Sequence, residues 1–350
     1  MPSKTALIVG SNGLVGRALA EQLAESGDWG ILELSRRPSP LGSIGTPIAV
    51  DLQDREACLA LGPKLRDVTH LFYCARAVAP DLFIEEQTNL AMFTNILDAV
   101  ESAASKLSHV QVMEGTKWYG SHLGSYKTPA HEDDQRHFPP NFYYVQQDLA
   151  AARQKNASWT WSALRPHVVW GVTLGYPHSF VVLLAAYATM SKHLGMPLVF
   201  PGSQACYTTI SQATDALLLA KAMEWAATSP KCANEAFNIT NGDLFRWQHL
   251  WPQVADYFGM EAGQVQSLSL AARMKDLEAI WRDVTKAHEL RPMPFSSLGN
   301  WAYFDYTVRF DVDDISLTTK ARHFGFEPFA DTKQELFSQF DRLRDLKVIP

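Results

Sequence analysis

Two rhythms of apolar and polar residues run along this chain. A continuous apolar run, expected of a strand buried on both faces, occurs at Thr5–Val9, and further strands are read at Ile31–Ser35, Pro47–Val50, His70–Cys74, His109–Met113 and Trp161–Arg165. Apolar residues recur at helical spacing over Leu14–Ser26 and over roughly Ile84–Lys106. Strand alternating with helix at such spacing predicts right-handed crossovers and an α/β fold with a parallel, doubly wound sheet. Pro166 closes the sixth strand. Beyond Gly171 the rhythm loosens, and Gly-, Pro- and aromatic-rich segments alternate with helices near Thr214–Trp225 and Trp247–Phe258. The run Phe180–Met190 is too short to span a bilayer and reads as a buried helix. At 350 residues the chain exceeds one usual core. Residues 1–170 are expected to form the sheet domain, with 205–240 returning to it. Segments 171–204 and 241–350 then build a smaller C-terminal lobe over the carboxyl ends of the strands.

Composition narrows the function classes. Hydrophobic residues at 47% and charged residues at 19% describe a globular chain, not a disordered one. A net charge of -6 gives no footprint for nucleic acid or an anionic membrane. Cys58, Cys74, Cys206 and Cys232 are scattered without a Cys-x-x-Cys pair, which reads as reduced thiols in a cytoplasmic protein. Met1-Pro2-Ser3-Lys4 leads straight into the first strand without a signal-peptide plan.

The chemistry begins in the turn after the first strand. Gly10-Ser11-Asn12-Gly13-Leu14-Val15-Gly16 spaces three glycines for a tight turn, a close approach to pyrophosphate, and helix packing on the strand. The helix N-terminus adds free N–H groups for phosphate charge. Gly10, Asn12, Gly13, Leu14, Val15 and Gly16 are therefore candidate dinucleotide contacts. Specificity for NAD usually rests on an acidic residue ending the second strand. Here that end reads Ser35-Arg36-Arg37, with Glu33 earlier in the strand. Paired guanidinium groups suit a ribose 2′-phosphate, so NADPH is the expected cofactor. Asp51 and Leu52, closing the third strand, are candidates for the adenine, and Tyr144, Pro166 and Val168 are further candidate cofactor contacts.

A family emerges at Asn141-Phe142-Tyr143-Tyr144-Val145-Gln146-Gln147-Asp148, preceded by Gly115-Thr116-Lys117-Trp118-Tyr119. The usual Tyr-x-x-x-Lys helix is altered, since Asp148 stands four residues after Tyr144, while a lysine appears after the fifth strand. With Met92–Ala99, Asn234–Asp243 and the closing Lys347–Pro350, the chain resembles the progesterone 5β-reductase/iridoid synthase-like enone reductases, which are extended short-chain dehydrogenases. It departs from them at Met113-Glu114-Gly115, at Arg165-Pro166-His167, and at Tyr73-Cys74-Ala75-Arg76, where a tryptophan is usual. The resemblance implies a Rossmann domain with a substrate-binding C-terminal lobe, a small-molecule enone as partner, and a dimer or a monomer.

The same residues suggest a mechanism. A phenol with a pKa of about 10 becomes a better donor to a developing oxyanion when an ammonium lies near. Tyr144 is expected to hold the enolate of a 1,4-reduction, with Lys117 tuning it. The plainer readings are a core aromatic for Tyr144 and a surface loop residue for Lys117. Tyr119 and His167 are lesser candidates. Of Trp301, Tyr303, Phe304, Phe324, Phe326 and Phe329, one or two are expected to wall a hydrophobic site in the lobe. A 1,2-carbonyl reductase and a non-catalytic NADPH sensor remain the alternative functions.

Overall fold

The computed structural model describes residues 3–350, which divide into two compact units. The first takes the chain as far as His167, then Ala216–Ile239 and Leu317–Pro328. Its centre is a seven-stranded sheet. The strands are β1 (Lys4–Val9), β2 (Trp29–Ser35), β3 (Thr46–Ala49), β4 (His70–Tyr73), β5 (His109–Met113), β6 (Thr160–Pro166) and β7 (Glu235–Ile239). Their spatial order is β7-β6-β5-β4-β1-β2-β3, with every neighbouring pair parallel. The order reverses at β1, where Val9 pairs with Leu34 on one side and Tyr73 on the other. This is the switch point where doubly wound sheets open a crevice for ligands.

Burial explains why these runs became strands. Ala6–Val9 and all of β4 are sealed on both faces, and β5 is buried from His109 to Val112. Helix α1 (Leu14–Ser26) turns Leu14, Leu19, Ala20 and Leu23 inward and stops at Gly27, whose φ of 74° is left-handed. Helix α2 (Leu82–Ala103) starts two residues earlier than its apolar rhythm predicts. Asp81 caps it, accepting from the amides of Phe83 and Ile84. Helix α3 (Phe142–Gln154) is capped by Asn141 in the same way, through the Tyr143 amide. Helix α4 (Ala216–Thr228) lies beside α1, and Glu224 takes hydrogen bonds from Gln22 and the Trp29 indole.

The second unit comprises Val168–Asp215, Thr240–Ser316 and Phe329–Pro350. Two small parallel ladders, Val168–Trp170 with Ala213–Asp215 and Leu198–Phe200 with Ala262–Val265, brace its helices. The first ladder holds 205–215 in this unit, so the return to the sheet begins at Ala216, not at 205 as expected. The expected boundary at 170 falls instead after His167, which leaves Val168 in the second unit. Helix Phe180–His193 is buried from Phe180 to Ser191, and among the described residues no helix is long and apolar enough to cross a membrane.

Aromatic residues mark a further correction. Leu317–Pro328 returns to the first unit, where Leu317 bonds Ala130 and Lys320 pairs with Glu235. Phe324 therefore packs on Phe237 and Phe326 on Trp225, outside the lobe to which the sequence assigned them. Trp301 and Phe304 are core, and Phe304 stacks on Phe180. Phe329 is 76% exposed.

Candidate active site

The turn between β1 and α1 is shaped by its glycines. Gly10 has φ +85°, and a Cβ there would come 2.9 Å from the Ala75 amide nitrogen. A Cβ on Gly16 would lie 2.5 Å from the Gly10 carbonyl oxygen. Both positions exclude side chains, which brings the backbone of the turn within reach of a ligand. Gly13 is the N-cap of α1, with no side-chain oxygen capping it and no acid in the first turn. The first N–H groups of α1 are thus open to an anion, and the cradle fits a dinucleotide pyrophosphate. Leu14 is buried, while Asn12 and Val15 are half-buried.

At the end of β2 the Arg37 carbonyl accepts from Asn12 Nδ2 at 2.5 Å and from Ser35 Oγ at 2.7 Å. These bonds tie the arginine segment to the glycine turn, with Arg36 and Arg37 exposed. Glu33 is buried, and its Oε2 accepts from the amides of Ile44 and Gly45 at 2.8 and 2.9 Å. The one carboxylate on β2 is therefore spent on the approach to β3. Asp51 caps the Gln53 amide and is exposed, and the Leu52 carbonyl accepts from Asn95.

Past β5 the chain makes a tight turn of helix, Thr116–Tyr119, that carries Lys117. Lys117 Nζ lies 3.9 Å from Glu85 Oε2. Glu85, buried on α2, holds Arg76 with its other oxygen at 2.7 and 3.1 Å. Burial first, then the Arg76 charge, pulls the Lys117 ammonium down to about 8, against the opposing pull of Glu85. His122, beside it, is pushed to about 4 by burial and then by Lys117.

Tyr144 does not meet Lys117 in the expected way. Its hydroxyl donates to the Trp118 carbonyl at 2.6 Å and accepts from the His137 amide at 2.9 Å. The residue is buried, and burial raises its pKa despite the His137 bond. Asp148 turns outward into a two-pronged pair with Arg136, both contacts 2.7 Å. The hydroxyl that reaches the strand ends belongs to Tyr143. A Cβ on Gly115 would lie 3.3 Å from Tyr143 Oη and 3.4 Å from the Pro166 carbonyl. A side chain at Gly115 would crowd that hydroxyl. One helical turn beyond Tyr143 stands Gln147.

A buried charge pair that sequence reasoning did not assign lies near these strand ends. Arg165 and Glu114 pair at 2.7 Å with side chains 2% and 0% exposed. Tyr119 belongs to this network, donating to Asn238 at 2.6 Å and accepting from Arg165 at 3.2 Å. His167 is buried just past β6. An acid directly after an apolar strand, and an arginine inside one, were the only hints available.

Comparison with known proteins identifies the family and the fold. A family model described as a PRISE-like Rossmann-fold domain matches residues 53–350. The (S)-8-oxocitronellyl enol synthase of Catharanthus roseus is 34% identical over 99% of this chain and 92% of its own. The 3-oxo-Delta(4,5)-steroid 5-beta-reductase of Arabidopsis thaliana is 33% identical over 99% and 93%. A solved short-chain dehydrogenase/reductase superfamily protein from Agrobacterium tumefaciens, with bound NAD, shares the fold at a TM-score of 0.67. It is 16% identical over 97% of each chain.

Proposed function

Because the chain belongs to the PRISE-like Rossmann-fold family and is an oxidoreductase, we propose that it reduces the C=C bond of small enones with NADPH. The cofactor's pyrophosphate would rest on the Gly10–Gly16 turn and the α1 N-terminus. Arg36, Arg37 and Ser35 would take the 2′-phosphate, and Asp51 the adenine. The engagement of Glu33 by Ile44 and Gly45 favours NADPH, because no carboxylate of β2 is left for a free 2′-hydroxyl. When bound, the nicotinamide supplies a hydride.

The residues of the chain handle the charge that follows. Hydride arriving at the β-carbon leaves an enolate, whose oxygen Tyr143 would hold through its hydroxyl. Lys117 adds positive charge from the neighbouring loop while it stays protonated, so its help fades as pH rises through about 8. Tyr144 orders that loop instead, by fastening Trp118 to His137. A 1,2-reduction would form a basic alkoxide in need of a prompt proton. Gln147, one turn after Tyr143, has no such proton to pass, whereas an enolate needs only a stabilising hydrogen bond. The position of the Tyr143 hydroxyl against Gly115, at the carboxyl end of β5, carries the reading.

The test uses 2-cyclohexen-1-one and NADPH deuterated at the transferred position. Cyclohexanone labelled on the β-carbon is expected. An allylic alcohol labelled on the carbinol carbon would replace this reading with a carbonyl reductase.

A further inference from the structure

Beneath the ends of β5 and β6 lies a buried charged hub that the chemistry above leaves unused. Arg165 sends Nε to Glu114 Oε2 at 2.7 Å and Nη1 to the Glu132 carbonyl at 2.9 Å and Tyr119 Oη at 3.2 Å. Its Nη2 reaches Gln147 Oε1 at 3.2 Å, and its guanidinium lies 3.7 Å from the centre of the Trp118 ring. The second oxygen of Glu114, Oε1, is buried and has no hydrogen-bond partner. Glu114 adjoins Gly115, against which Tyr143 packs, and Gln147 follows Tyr143 by one helical turn. One guanidinium therefore holds both the strand end and the helix turn that bracket the Tyr143 hydroxyl.

We propose that Glu114 carries an exchangeable proton, and that the Glu114–Arg165 pair positions Tyr143 and sets the charge beneath it. With Glu114 protonated the pair carries one positive charge, which strengthens the phenol as a donor to the enolate. With Glu114 ionised the pair is neutral and that support is lost. The role in turnover rests on the enone-reductase reading, whereas the proton on Glu114 does not.

The surroundings favour a proton on Glu114. An unpartnered buried carboxylate oxygen costs more when charged than when it carries a proton. Burial lifts Glu114 to about 7, with Arg165 and then Arg136 opposing and Asp148 adding. Arg136 and Asp148 are bound to each other, so their charges largely cancel at Glu114. Of the other groups nearby, Tyr119 bonds Arg165, and Glu132 receives the Asn238 amide and is itself raised by burial. Lys117, on the same loop, is engaged with Glu85. Among the described residues, Arg165 is thus the cation that bonds Glu114.

The test follows kcat for 2-cyclohexen-1-one at saturating NADPH and enone from pH 5.5 to 8.5. The native enzyme should slow about fivefold, with a first inflection near pH 7, as one buried charge is neutralised. Glu114→Gln keeps an acceptor for Arg165 but cannot ionise, so its first inflection should move to that of Lys117, near 8. Infrared difference spectra between pH 6 and pH 8 should show a carboxylic acid band in the native protein that Glu114→Gln lacks. Gln147→Met, at a half-buried site, should lower kcat severalfold with NADPH affinity and the pH 7 inflection intact. An unchanged inflection in Glu114→Gln, or no such infrared band, would overturn the proposal. Full activity in Gln147→Met would overturn the coupling through α3. A protein that binds NADPH and shows the band, yet reduces no enone, would sink the enone reading and the role in turnover but leave the proton on Glu114 standing.

Discussion

Two adjacent tyrosines should respond to the same deletion in opposite ways. Tyr144→Phe removes a hydroxyl that donates to the Trp118 carbonyl and accepts from the His137 amide. The ring stays, with its edge-on contact to Trp118 at 4.8 Å. What remains is a carbonyl and an amide without their shared partner, at about 1–3 kcal/mol for each such group when buried. The combined loss is about 2–6 kcal/mol, or roughly 3–8 °C in Tm for a chain of this length. Tyr143→Phe should leave Tm within about 2 °C, because it removes at most one hydrogen bond's net worth, and lower kcat about 10²–10³-fold. Thermal unfolding and steady-state turnover on one enone, run in parallel on both variants, make the comparison. A Tyr144→Phe enzyme that keeps its Tm but loses turnover would refute the assignment. So would a Tyr143→Phe enzyme with normal kcat.

Replacing Arg36 and Arg37 by alanine should raise the KM for NADPH at least about tenfold and leave NADH use nearly unchanged, from a charged contact worth about 1.5–3 kcal/mol. Equal losses with both cofactors would make the pair structural. Folding stability should fall in acid through His109, which burial, and then His70, lowers from 6.5 to about 3. The unfolded chain binds this proton and the folded one does not, so stability is complete above about 6.5 and declines as pH falls toward 3, by about 2–3 kcal/mol at pH 4.5. His109→Gln should flatten that slope in denaturant titrations, and an unaltered slope would exclude His109 as its source.

Much of the fold is legible because burial on both faces writes short stretches dominated by apolar residues. That holds for β1, β4 and β5, whose expected limits agree with the structure to within a residue. Elements whose pattern is shared with their surroundings were misjudged. The rhythm of α2 runs on through Ala104 and Leu107, which are buried although the helix has ended, so its end was set too late. The strand β7 was not distinguished, and its central polar residue is Asn238. That side chain is fully buried, bonded to Tyr119, Ala130 and Leu317 from three distant parts of the chain. Partners so remote leave no trace in local pattern, and the return of 317–328 to the first unit was missed for the same reason.

At the site, legibility follows the range of the constraint. Gly10 and Gly16 are read directly, since each is required by backbone within its own strand–turn–helix unit or at the neighbouring strand end. Arg36 and Arg37 are read from their place after β2, but the commitment of Glu33 needs a contact eleven and twelve residues away. The choice between Tyr143 and Tyr144 turns on helix phase, a rotation of about 100° between neighbours. The Tyr-x-x-x-Lys frame that normally sets the phase is silent here, because position 147 is Gln and position 148 is Asp. Asp148 and Tyr144, four residues apart, both meet Arg136, Asp148 through its carboxylate and Tyr144 through its ring at 4.9 Å, yet the Tyr144 hydroxyl points elsewhere. At the first turn of α3 the Tyr144 side chain leans toward the helix N-terminus, reaching the loop residues Trp118 and His137. Asp148, a turn later, has already emerged into solvent beside Arg136. The Asn141 cap, which accepts from the Tyr143 amide, sets where the helix begins and hence which ring faces Gly115. The N-cap, not the residue four positions on, is therefore the feature by which to choose between paired tyrosines when the lysine has moved.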